Sequence, residues 1–230
     1  MNKNNPEKVE ILFLFATEAE AGALRHSGAP ASSVNTRFTV SSLVSGVGSV
    51  STAWHFKNYL CAGNRPDLVI NAGIAGSFRE TLTPGAVVMP VSDIFADLGM
   101  EDENGFRHLS STSLLNTGSY PFSGEKLLCR NRYTEKLSVI FKPADAITVN
   151  TVTGTEESVQ RLRRLYDPDI ETMEGAAVFY VCAMEKIPCV ALRSVSNYAG
   201  PRSKGKWDTD KALKSLSDAL NELLMIIPQE

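Results

Sequence analysis

Glu18, Glu20, Glu174 and Asn197 are the residues of this chain whose types and positions could do chemistry. The two glutamates of "ATEAEAGAL" follow the apolar run Val9–Phe15 directly. With Thr17 as N-cap they fall in the first turn of a helix, where the helix dipole favours a carboxylate. Two residues apart, they point to different sides, so one can face the sheet end while the other faces solvent. A helix start decorated for stability would look the same. Glu174, in "ETMEGAAVFYV", heads the most apolar helical stretch of the chain, and a carboxylate entering a buried helix needs a partner. Ribose hydroxyls would serve, because a carboxylate can accept from two at once; Arg193 on a neighbouring strand is the alternative. Asn197 lies in "RSVSNYAGPR", after the apolar run Ile187–Leu192. Strand, polar tip and Gly-Pro break is how an open α/β sheet presents groups to a ligand. An amide there can donate and accept hydrogen bonds but cannot act as an acid.

Three glycine-rich strand ends accompany these residues: Ser45–Gly48, Asn71–Gly76 and Thr153–Thr155. Glycine lets backbone approach a ligand closely, although plain βα turns use it too. Neither G-x-G-x-x-G nor a P-loop lysine motif is present, which argues against a dinucleotide or nucleoside triphosphate. His26, His55 and His108 have no acid or nucleophile at telling spacing and read as structural or exposed. The four cysteines form no C-x-x-C pair and no zinc-spaced cluster, so no metal is expected. Cys61, Cys182 and Cys189 sit in apolar runs and read as small buried hydrophobes.

The positioning elements follow from apolar periodicity. Strands are predicted at Val9–Phe15, Phe38–Val44, Asp67–Asn71, Gly85–Val91, Ala146–Thr153 and Pro188–Val195. Helices are predicted at Glu18–His26, Ser49–Cys61, Thr155–Leu165, Met173–Glu185 and Asp208–Ile227. Thr155 reads as an N-cap with Ser158 at N3. Strands alternating with helices predict a single α/β domain over 1–230: a central mixed, mostly parallel sheet flanked by helices on both faces, in three α/β/α layers. Residues 1–7 are expected to be a disordered tail, and 97–135 a long, irregular, functional or interfacial loop region. The formal net charge of −3 gives no pull toward nucleic acid or anionic lipid. No signal-peptide core or membrane-length apolar run is seen, and reduced cysteines suggest the cytoplasm.

The order and spacing of "FATEAEAGAL", "SGVGSVSTA", "NAGIAGSF", "FADLGMEDENGF", "TVTGT", "IETMEGAAVF" and "RSVSNYAGPR" resemble the nucleoside phosphorylase / nucleosidase superfamily over nearly the whole chain. The resemblance implies that Glu20, not Glu18, activates a water. It implies that Met173 lies against the sugar while Glu174 accepts from its hydroxyls. Gly73 to Gly76 would lie near sugar and water, Thr153 and Thr155 would border a purine, and Ser196 and Asn197 would hold it. No cofactor is implied. The family's assemblies imply a homo-oligomer, with 97–135 covering the site.

Two departures from the family pattern sharpen the reading. Phosphorylases carry an arginine for phosphate where Asn71 stands, so the chain lacks that bidentate partner and Glu20 would repel the dianion. Adenine-specific nucleosidases carry an aspartate where Asn197 stands, so the amide suggests a 6-oxopurine. The branch most similar to this chain hydrolyses futalosine, a nucleoside of menaquinone synthesis, releasing hypoxanthine and dehypoxanthinyl futalosine; that is the expected reaction. Asn197 argues against a methylthioadenosine/adenosylhomocysteine nucleosidase. Asn71 and Glu20 argue against an inosine or uridine phosphorylase, and the acids argue against a binding protein without turnover. Some nucleosidases stack a phenylalanine on the base after the third glycine loop; Thr155–Ser158 has no aromatic residue, which leaves the stacking group unassigned. Arg79 and Arg107 are candidates for the substrate's far carboxylate, with solvated surface as the alternative.

Overall fold

The computed structural model describes residues 8–26, 38–112, 114, 118–201 and 207–227; the tail expected at 1–7 lies outside them. In chain order the elements are β1 (Val9–Phe15), α1 (Glu18–His26), β2 (Phe38–Val44), α2 (Ser49–Cys61), β3 (Leu68–Ser77), β4 (Val87–Phe95), β5 (Gly99–Asp102), β6 (Gly105–His108), β7 (Phe122–Ser123), β8 (Lys126–Leu128), α3 (Arg132–Leu137), β9 (Lys142–Thr148), α4 (Glu156–Tyr166), β10 (Ile170–Thr172), α5 (Gly175–Glu185), β11 (Cys189–Tyr198) and α6 (Thr209–Ile226).

β1 reads apolar at every position from Ile11 to Phe15 because both of its faces are covered. Ile11, Phe13 and Phe15 pack with α1 and α6, through Leu24, Leu216, Leu220 and Leu223. Leu12 and Leu14 point the other way, to Phe56 of α2 and Val178, Phe179 and Cys182 of α5. These two cores make the outer layers of the expected α/β/α arrangement.

The sheet is mixed. β2, β1 and β3 are parallel neighbours. Beyond them β3 pairs with β11 and β10, β10 with β9, β9 with β4, and β4 with β11. These five strands therefore close into a ring. Its small interior is filled by Ala75, Val88, Ala144, Ala146, Ile170 and Val195, with Leu82 of the β3–β4 turn. No helix among the described residues is long and apolar enough to cross a membrane.

Several element boundaries differ from the sequence expectation. β3 continues through Gly73 to Ser77, so the Asn71–Gly76 motif is strand and not loop. β11 pairs along this whole stretch, with a register shift between Val195 and Asn197. β9 lies four residues ahead of its predicted position, and 149–155 form the loop after it. β4 starts at Val87 and runs on to Phe95. α5 begins at Gly175, which leaves Met173 and Glu174 in the turn before it. β10 and α3 were not expected, and the described part of 97–135 carries two short hairpins and α3. Cys61 is exposed on the last turn of α2, contrary to expectation, whereas Cys129, Cys182 and Cys189 are buried. His108 is structural: Nδ1 accepts from the Ser110 N–H at 3.1 Å, and Nε2 lies 3.1 Å from the Phe95 carbonyl.

Candidate active site

The carboxyl ends of β1, β3 and β11 and the turn after β10 meet around one cavity. It is lined by Thr17, Glu20, Val47, Ile74, Gly76, Val149, Val152, Glu171, Met173, Glu174, Ser196, Asn197 and Trp207, among others. Glu20, Glu174 and Asn197, far apart in sequence, therefore share one space. Glu18 is the solvent-facing partner and pairs loosely with Arg25 at 3.6 Å.

Glu20 is placed by local helix chemistry. Thr17 caps α1, its hydroxyl accepting from the Glu20 N–H at 3.2 Å. Glu20 Oε2 in turn accepts from the Thr17 N–H and hydroxyl, each at 3.0 Å. This reciprocal pair is a capping box. Glu20 Oε1 accepts from the Ile74 N–H at 2.9 Å, tying the helix start to β3. A Cβ at position 73 would stand 2.6 Å from Glu20 Oε1, so any larger residue would displace the carboxylate. Gly73 thus makes room for the carboxylate and does not itself line the cavity.

Glu174 is the N-cap residue of α5 but makes no capping bond with its side chain. Its Oε1 accepts instead from the Gly48 N–H at 2.9 Å, at the start of α2. Burial raises its pKa, helped by the nearby Glu20 charge and opposed by the Gly48 bond and by Arg193. Arg193 is not its hydrogen-bond partner. The buried guanidinium donates to the Asn71 carbonyl at 2.7 Å, to the Leu192 carbonyl at 3.0 Å and to Asn71 Oδ1. Asn71 also donates to the Leu14 carbonyl at 3.1 Å, so it belongs to the sheet interior and does not line the cavity. No lysine or arginine is among the described lining residues, whereas three carboxylates are. Arg79 is bound to Asp167 and Asp169, and Arg107 to Asp102; neither lines the cavity.

Asn197 is buried at the end of β11, with a fixed amide orientation. Its Nδ2 faces the Tyr198 carbonyl at 3.0 Å, which can only accept, and its Oδ1 accepts from Ser196 Oγ at 2.8 Å. Ser196 thus orients Asn197. Thr153 and Thr155 do not line the cavity. Thr155 caps α4 by accepting from the Ser158 N–H at 3.1 Å, and Thr153 spends its N–H and hydroxyl on Glu171. Glu171 and Thr172 are polar lining residues that the sequence reading missed, because β10 is only three residues long. Trp207, Val149 and Val152 were missed as well; they lie on loops, where apolar periodicity carries no signal.

A family model described as the phosphorylase superfamily matches residues 16–228. The chain belongs to the phosphorylase superfamily. Among relatives in this superfamily, a futalosine hydrolase of Acidothermus cellulolyticus is 35% identical over 221 residues, covering 93% of this chain and 88% of that one. A futalosine hydrolase of Streptomyces coelicolor is 32% identical over 190 residues, covering 80% and 78%. A solved structure of a futalosine hydrolase mutant of Helicobacter pylori superposes with a TM-score of 0.76 at 19% identity, covering 94% of this chain and 99% of that one. At that identity the likeness speaks for the superfamily fold alone.

Proposed function

We propose that this protein is a nucleosidase that hydrolyses futalosine to hypoxanthine and dehypoxanthinyl futalosine, in menaquinone biosynthesis. The observation that carries hydrolysis over phosphorolysis is the cavity lining, with three carboxylates and no described cation. A phosphate dianion entering it would meet repulsion and no bidentate partner.

In this reading the C1′–N9 bond breaks through a sugar with oxocarbenium character. Glu20 takes a proton from a water as its oxygen bonds to C1′. Glu174 accepts from the ribose hydroxyls and offsets the positive charge growing on the ring, with Met173 against the sugar. The C–N electron pair leaves with the base, whose negative charge Asn197 stabilises by donating to O6 or N7 until the base takes up a proton from solvent and Glu20 gives up its own. Gly76 lets the base approach β3.

Incubation with futalosine should release free hypoxanthine, at a rate that added phosphate does not change. A sugar phosphate product, or faster release of adenine from methylthioadenosine, would overturn the reading. The protein also forms a homo-oligomer in this proposal. Val47, which lines the cavity, and Val50 and Trp54 of α2 are apolar and exposed at 55, 82 and 64%, the kind of surface that marks an interface when it is contiguous. Sedimentation that showed only a monomer would refute that part.

A further inference from the structure

We propose that Glu171 sets the preference for a 6-oxopurine, by accepting a hydrogen bond from the ring N1–H that such a base carries and a 6-aminopurine lacks. The inference rests on the nucleosidase reading above and assigns the one lining carboxylate that the mechanism leaves unused.

Glu171 is 4% exposed yet lines the cavity. It lies opposite Gly76 across the β10–β3 pair. A Cβ on Gly76 would stand 3.2 Å from Glu171 Oε1 and 3.4 Å from Asn197 Nδ2. The carboxylate and the amide thus converge on one methyl-sized point at the cavity wall. Their remaining hydrogen-bonding capacity is complementary. The Thr153 N–H reaches Glu171 Oε1 at 3.2 Å, and the Thr153 hydroxyl reaches Oε2. A carboxylate has about four acceptor sites, so roughly two stay open. Asn197 Nδ2 spends one hydrogen on Tyr198 and keeps one.

An open acceptor beside an open donor matches a lactam edge, which offers N1–H next to O6. Adenine presents the reverse, an N1 lone pair facing the carboxylate and an amino group facing the Asn197 N–H. Both contacts are repulsive, and a buried polar group left unpaired is costly. Burial raises the Glu171 pKa while the two Thr153 donors oppose the rise, so a further donor on the desolvated carboxylate is favourable. A purely structural role, holding the 149–155 loop through Thr153, is the rival explanation. It predicts equal loss for every base.

The test is calorimetric titration of the full chain with hypoxanthine and with adenine. For wild type the ratio should favour hypoxanthine. Glu171→Gln keeps the shape but adds a donor, and should lower that ratio roughly 10- to 100-fold, the range of one hydrogen bond to a charged group. A ratio that stays fixed while both affinities fall together would overturn the proposal. The wild-type chain supplies a check independent of any variant's folding. 1-Methylhypoxanthine has no N1–H and should bind at least about tenfold more weakly than hypoxanthine; equal binding would overturn the proposal. If wild type releases hypoxanthine from futalosine but the ratio ignores Glu171→Gln, this inference fails alone. If wild type binds adenine more tightly, it fails together with the function.

Discussion

At the scale of the residue, two of the side chains that carry the reaction in the proposed mechanism give separable tests. Glu20→Gln keeps size and can keep the capping bond, while removing the base and one acceptor oxygen. Turnover of futalosine should fall about 10²–10⁴-fold, and steady-state kinetics that stayed near wild type would remove Glu20 from the chemistry. Asn197→Asp introduces an acid beside the base's N7 and should shift kcat/KM from 6-oxo toward 6-amino nucleosides; an unchanged ratio of inosine to adenosine cleavage would contradict the role. The place of both at the cavity was legible in the sequence, since each follows a strongly apolar run and so had to emerge at a strand's carboxyl end. Glu171 was not, because a carboxylate inside a three-residue strand has no periodic frame to declare which way it faces.

At the scale of the element, the same contrast between long and short segments holds. β1, α2 and α6 were placed to within a residue because their apolar patterns run over 7, 13 and 18 residues. The glycines of β3 were misread as a loop. They are strand because β11 pairs with β3 from Val69 to Ser77, and they are glycine where Glu20 and Glu171 come close to positions 73 and 76. Thr155 was expected both to cap α4 and to border the purine; it caps α4 and does not line the cavity. Thr155→Ala should cost about 1 kcal/mol of stability, read as a lower urea midpoint, with kcat/KM unchanged. Loss of activity at unchanged stability would return Thr155 to the substrate.

At the scale of the whole molecule, the ring of five strands buries charge beneath the site. Asp93 of β4 accepts from the Thr148 hydroxyl at 2.9 Å under the first turn of α5, where Gly175 leaves it room. Burial is the largest influence on this carboxyl and pushes its pKa up from 3.8 to about 7. The folded protein therefore holds a proton that the unfolded chain has released between those two values. The associated stability is complete below pH 3.8 and is lost as pH rises through about 7, with a slope of up to about 1.4 kcal/mol per pH unit. Asp93→Asn should flatten that part of the stability curve, measured as urea midpoints from pH 4 to 8. An unaltered slope would show that Asp93 is ionised throughout.

The capping box of α1 has a consequence for how this protein can vary. One carboxylate closes a helix and, in the proposed mechanism, also takes the proton from water. Glutamine can keep the capping bond with its one amide oxygen, but its NH2 then faces the Ile74 N–H that Glu20 Oε1 accepts. In that mechanism a chain bearing the substitution would lose the tie between α1 and β3 and the base at once. Stability and turnover are therefore tied together at position 20 in the proposed mechanism.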